Sequence, residues 1–127
     1  MTSELKLGPI GQIARRVGDV DAAVVWYRDV VGLTLLYQYG DLAFFDCNGT
    51  RLFLNAEQDG PSAANSIIYF RVDDINTAFE TLSARGAEFV GPPHMIFKHP
   101  DGMEEWMAFF RDPDGQLLGI MSQLPPE

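Results

Sequence analysis

Val17-Gly-Asp-Val-Asp-Ala-Ala-Val24 and Val72-Asp-Asp-Ile-Asn-Thr-Ala-Phe79 are two copies of one pattern, fifty-five residues apart. Such self-similarity is sought first, because a repeat decides the architecture. Farther along, Ala43-Phe44-Phe45 answers Ala108-Phe109-Phe110, and Asn48-Gly49 answers Asp114-Gly115, now at offsets of 65 and 66. The growing offset places about ten extra residues in the second unit, best around His99-Pro-Asp-Gly-Met-Glu-Glu105.

Each copy follows the same plan. Residues 10–17 and 66–72 are rich in β-branched and aromatic types and read as opening strands. Asp19 and Asp74 are suited to cap helices, since a short carboxylate accepts the free amides of a first turn. Apolar residues then recur at Val20, Ala23, Val24, Tyr27 and Val31, and at Ile75, Ala78, Phe79 and Leu82, which is one buried helical stripe each. Gly32 and Gly86 stand where a left-handed residue ends a helix. Three strands follow in each half, at 33–39, 42–47 and 51–56, then 88–98, 105–111 and 116–122. The reading is an α+β chain built from a duplicated βαβββ unit: one domain over 1–127, with a first module at 8–57, a polar linker at 58–65 and a second module at 66–123.

Composition narrows the partners. With 9 Lys+Arg against 18 Asp+Glu, the net charge of −9 argues against nucleic acid or an anionic membrane, both of which need a basic face. A local basic pocket for a small anion stays open. The lone Cys47 excludes an intrachain disulfide and reads as a small apolar filler. No run approaches the ~20 apolar residues of a membrane span. The first twelve residues lack the basic start and apolar core of a secretory signal, which predicts a cytoplasmic protein.

Val17-Gly-Asp-Val-Asp with Trp26-Tyr27 and Gly32-Leu33, Ile68-Tyr-Phe-Arg-Val-Asp-Asp-Ile75, and Phe109-Phe-Arg-Asp-Pro-Asp-Gly-Gln-Leu-Leu118 together resemble the vicinal oxygen chelate superfamily. Its members include glyoxalase I, bleomycin resistance proteins and extradiol dioxygenases. The resemblance covers Ile10 to Gln123. It implies two βαβββ modules forming a curved, cup-like mixed sheet around a shared cavity, often in a homodimer. It also implies four metal ligands in metal-dependent members, one from the first and one from the last strand of each module. Aligned on the Val-x-Asp segments and on the preceding glycines, those positions are Gln12, Ile67, Phe53 and Gly119. Only Gln12 carries a donor atom. The expectation is therefore no bound metal and no cofactor, unless a divalent ion has moved to a new site.

Alternation along a strand puts Ala14 and Arg16 on the face of Gln12, and Tyr69 and Arg71 on the face of Ile67. Phe53 and Gly119 join them, with Asn55, Leu117 and Met121 nearby. A symmetric Asp112–Gly115 hairpin adds Trp106, Ala108 and Phe110 to the same cavity. The expected ligand site is thus Gln12, Arg16, Phe53, Ile67, Tyr69, Arg71, Trp106, Phe110 and Gly119, with the opposite faces of both opening strands apolar under a helix. Aromatics there stack on a planar ligand or simply fill a small barrel; Arg16 and Arg71 hold a carboxylate or reach the rim.

Two functions remain open, with a ligandless interaction domain, its cavity closed by side chains, as a third reading. One is a metal-independent protein that encloses a planar or amphipathic small molecule. The other is a lyase, isomerase or dioxygenase-like enzyme, using a relocated metal or an acid–base pair drawn from His94, Glu105 and Tyr69. His99 and Glu104 read as parts of an exposed polar hairpin.

Overall fold

The computed structural model describes residues 5–56 and 66–125; the linker at 58–65 lies outside the described residues. In the first half, β1 (Gln12–Arg16), α1 (Val20–Trp26), β2 (Thr34–Tyr39), β3 (Leu42–Cys47) and β4 (Thr50–Asn55) form a four-stranded sheet in the order β1-β4-β3-β2. In the second, β5 (Ile68–Arg71), α2 (Ile75–Ala84), β6 (Glu88–Phe89), β7 (His94–Lys98), β8 (Glu104–Arg111) and β9 (Leu117–Leu124) give β5-β9-β8-β6, with β7 also on β8. In both halves the opening strand lies parallel to the last one and the other pairs are antiparallel. The fold is α+β, with two open mixed sheets.

The caps act as their chemistry predicts. Asp19 accepts from the Ala22 amide, and Asp74 from those of Asn76 and Thr77. Gly32 and Gly86 adopt φ of 88° and 102°, a left-handed geometry that only glycine enters freely. One detail differs from the even stripe: after Trp26 the helix widens into a π turn over Tyr27–Val31, closed by Gly32 and Leu33 amides on the Tyr27 carbonyl. The strand expected over 88–98 is split, because Gly91-Pro92-Pro93 interrupts it and proline has no amide hydrogen for a ladder. The extra length of the second half thus lies in this break as well as in the 99–103 turn.

The repeat is visible in the packing. Ala43 and Phe45, and their counterparts Ala108 and Phe110, are fully buried on the helix side of the sheets. There they meet Val20, Ala23, Val24 and Tyr27 of the first helical segment and Ile75 and Leu82 of α2. Phe44 and Phe109 point to the other side, since Phe44 pairs with Phe53 and Phe109 with Gly119 across their strands.

Two expectations about side-chain direction are corrected here. Trp106 and Phe110, with Ala108, face the helices and not the open side. Phe110 pairs with Leu118 and is packed between Phe89 and Trp26, with ring centroids 5.0 and 6.0 Å away. Trp106 pairs with the buried Ser122 and donates its indole N–H to Glu104 at 2.8 Å. The cause is the loop. Asp112 and Gln116 still pair, Asp112 N–H donating to the Gln116 carbonyl, so the loop is three residues with Gly115 at φ 82°. Compared with a four-residue turn, the register moves by one, and one residue turns every side chain over.

The second correction concerns Arg15. It lies between Ile13 and Val17 on the face expected to be apolar, and it is buried. Its Nη2 donates to the Leu117 carbonyl at 2.7 Å and its Nε to Gln116 Oε1 at 3.1 Å, with Asp112 Oδ2 3.7 Å from Nε. Tyr27 completes the group by donating its hydroxyl to Asp112 Oδ2 at 3.1 Å. Gln116 Nε2 in turn donates to the Arg16 carbonyl, and the Gly18 amide to Asp114. A charged network thus fastens the first half to the last hairpin of the second.

Candidate functional site

The sheet face opposite the helices is only partly buried, and each half furnishes it differently. In the first half, cross-strand pairing puts Gln12 beside Arg51, Ala14 beside Phe53 and Arg16 beside Asn55. Phe53 stacks on Phe44 (centroids 4.7 Å apart, planes 9° apart), and Tyr37 covers Phe44 from the other side at 4.7 Å. Arg51 lies over the Phe44 ring at 5.2 Å while donating from Nη2 to Gln12 Oε1 at 2.6 Å. A cation so held is pre-oriented, because both the ring and the amide restrict its rotamers.

In the second half, Tyr69 pairs with Gly119 and Arg71 with Met121, so these share the open face with Phe109, Met107 and Glu105. Phe109 meets Tyr69 edge-on, with centroids 5.7 Å apart. His94 opens β7 opposite Met107 and lies 6.4 Å from the Phe109 ring. Farther along, Glu105 Oε2 accepts from Gln123 Nε2 at 2.8 Å and lies 2.7 Å from His99 Nε2. These hydrogen bonds, that of His99 above all, hold the Glu105 carboxyl below the usual range. His99 is thus tied to the open face, whereas its sequence context reads as a solvated hairpin.

A cleft of about 540 Å³ opens between the halves. Tyr69 and Arg71 of β5 face Thr34, Asp46 and Arg51 of the first sheet across it. Its size and mixture of ring, aliphatic and guanidinium groups suit a small molecule. Among the residues expected at a ligand site, Tyr69 and Arg71 line this cleft and Gln12 borders it through Arg51. Phe53 lies under Phe44 in the first sheet, Gly119 under Tyr69 in the second, and Ile67 is exposed just before β5. Arg16 is at the far end of β1, about 13 Å along the strand from Gln12. The cleft's second arginine is therefore Arg51. Cys47 also lines the cleft, and burial pushes its thiol above the usual range, which keeps it protonated.

The residues at the four metal-ligand positions do not fit a metal. Phe53 and Ile67 offer no donor, and the Gln12 oxygen already accepts from Arg51. At Gly119, a Cβ would come 2.9 Å from Tyr69 Cδ2 and 3.3 Å from Phe109 Cε1, so two aromatic rings fill the space of the fourth ligand's side chain. Among the described residues, no three His, Cys, Asp or Glu side chains converge elsewhere. His99 and Glu105 form a pair only.

Two of the missed residues had signals in the sequence. Arg51 is two before Phe53 and so shares its face, and Phe44 is marked by its repeat partner Phe109. Arg15 had none beyond its charge.

Comparison with known proteins agrees with this fold. Metallothiol transferase FosB from Lysinibacillus sphaericus (strain C3-41) is 25% identical over 112 residues, covering 84% of this chain and 76% of that protein. Lactoylglutathione lyase from Agrobacterium tumefaciens superposes with a TM-score of 0.71 at 24% identity, over 91% of this chain and 94% of its own. TioX from Micromonospora sp. ML1 does so with a TM-score of 0.68 at 25% identity, over 92% and 100%. The model of one family matches residues 9–120, nearly the whole described chain. The chain belongs to the Glyoxalase/Bleomycin resistance protein/Dioxygenase superfamily.

Proposed function

We propose that this chain is a metal-independent small-molecule-binding protein that encloses a planar or amphipathic ligand carrying an anionic group. The observation that carries this reading is the exchange of metal donors for aromatic surface: Tyr69 and Phe109 pack where a Gly119 side chain would lie. Arg51 and Arg71 in the same cleft suit a carboxylate. We further read it as a cytoplasmic protein and as a homodimer, the latter because Tyr37 and Phe97, about half exposed on the open faces, suit coverage by a second copy.

The test uses 2-naphthoate with the protein in excess chelator. Binding only to the native state raises the melting temperature, and the naphthoate is recovered unchanged. Arg71→Ala is expected to weaken binding about tenfold, the worth of one charge-assisted hydrogen bond. No thermal shift across a panel of aromatic carboxylates would count against the reading.

The His99–Glu105 pair favours a second reading, a metal-free lyase or isomerase. A carboxylate that orients an imidazole prepares it to accept a proton. Because the Glu105 carboxyl is held below its usual range, the carboxylate that orients His99 is present above the ordinary carboxylate range and is lost as the pH falls through that lowered value. On this reading a substrate is chemically altered by catalytic protein, and His99→Ala abolishes turnover with the fold intact. Turnover unchanged in that variant removes His99 from the mechanism.

A further inference from the structure

On the helix side of the sheets, away from the open faces, lies a second groove of about 500 Å³. Val31 and Leu33, at and just beyond the end of the π turn, form one wall, and Ala78 and Leu82 of α2 the other. Phe70 and Val72 form its floor, because the helix-side face of β5 is left half-buried between the two helical segments. Thr77 and Thr81 are polar residues along the α2 wall, but the charges are at the two ends. Asp73 and Asp74 stand at the start of α2, where the Asp74 carboxylate is already engaged by two amides. Arg85 stands at the opposite end, held by one hydrogen bond from Nη1 to the Val30 carbonyl at 3.2 Å. The ten residues of α2 separate these ends by roughly 15 Å.

An apolar trough with one cation at one end selects its occupant by charge. We propose that this groove binds a single-chain anionic amphiphile of about ten carbons, its carboxylate on Arg85 and its chain along Phe70 and Val72. The acidic pair at the other end disfavours the reverse orientation, which would set like charges together. The π turn contributes by carrying Val31 to the wall opposite α2. The groove adjoins the cleft of Tyr69 and Arg71 and shares Leu33 and Phe70 with it, but Val31, Ala78 and Leu82 line the groove alone and Ile13 and Leu52 the cleft alone.

The test titrates decanoate, below its critical micelle concentration, into the full chain with labelled methyl groups. The expected result is saturable one-to-one binding that shifts the methyl signals of Val31, Ala78 and Leu82 and leaves those of Ile13 and Leu52, which line only the other cleft, in place. Decan-1-ol should bind about tenfold more weakly, and Arg85→Gln should bring decanoate down to the same level. Ala78→Phe fills the groove and should abolish binding. Shifts confined to Ile13 and Leu52 would place decanoate in the cleft of Tyr69 and Arg71 and overturn the proposal. So would decyltrimethylammonium binding as tightly as decanoate, unchanged affinity in Arg85→Gln, or no saturable binding at all.

Discussion

Asp112→Ala is expected to lose about 3–5 kcal/mol of folding stability, read from denaturant unfolding, the cost typical of breaking a buried charged network from one side. Asp112 is almost wholly buried. Its Oδ1 accepts the amides of Asp114 and Gln116, and its Oδ2 accepts the Tyr27 hydroxyl beside the Arg15 guanidinium. Removing it orphans two loop amides and a phenol, and it leaves a buried cation without a counter-charge. That cation has no slack, since Arg15 Nη1 is already buried without a hydrogen-bond partner. Tyr27→Phe removes only one donor and should cost about 1 kcal/mol. Burial first, and Asp112 second, push the Tyr27 phenol well above its usual value, so it serves as a neutral donor. The sign follows: this contribution is complete below about pH 10, the ordinary phenol value, and is lost as the pH rises beyond it. An Asp112→Ala protein within 1 kcal/mol of the parent would show that the two halves are held by apolar packing alone.

The second large effect is at Gly119. Restoring a carboxylate there, as Gly119→Glu, should destabilise the chain by about 1–3 kcal/mol without creating metal affinity. The first atom added already meets Tyr69 Cδ2 at 2.9 Å and Cε2 at 3.1 Å. The sign is informative, because glycine inside a strand ordinarily weakens it and a side chain should help. Gly119→Ala is therefore expected to destabilise alone and to recover when combined with Tyr69→Ala, a coupling that a double-mutant cycle measures. A Gly119→Ala protein more stable than the parent would mean that the Tyr69 ring does not occupy this space.

Much of the scaffold is legible in the sequence because local rules and global packing agree. Asp19, Asp74, Gly32 and Gly86 end their helices through backbone chemistry that each residue type announces by itself. The open faces of β1 and β5 follow from alternation alone, which places Gln12, Tyr69 and Arg71 on the sides they occupy. The reading of β8 fails because its register depends on one loop. Whether that loop has three or four residues is decided by Asp112 pairing with Gln116 and accepting two loop amides, not by the propensities of Pro113-Asp-Gly115. Trp106 and Phe110 moved with that one-residue difference, and Glu105, Met107 and Phe109 took the open face. Arg15 is illegible for another reason. A charge on a helix-side strand position contradicts the local pattern, and its partners lie a hundred residues away in the chain. The cleft is partly legible: Arg71 was marked by its face, whereas Arg51 matters through Phe44 and Gln12, two contacts across strands.

The reading proposed for this chain is that the four metal-ligand positions have lost their donors and that a ligand binds without metal in the neighbouring cleft of Tyr69, Arg51 and Arg71. The most direct measurement is elemental mass spectrometry of tag-free protein, purified without chelator and then loaded with Mg, Mn, Fe, Ni and Zn. Only substoichiometric metal is expected, removed by a simple desalting step, with 2-naphthoate binding unaffected by chelator. One tightly held equivalent, lost together with ligand binding when the protein is stripped, would contradict this reading.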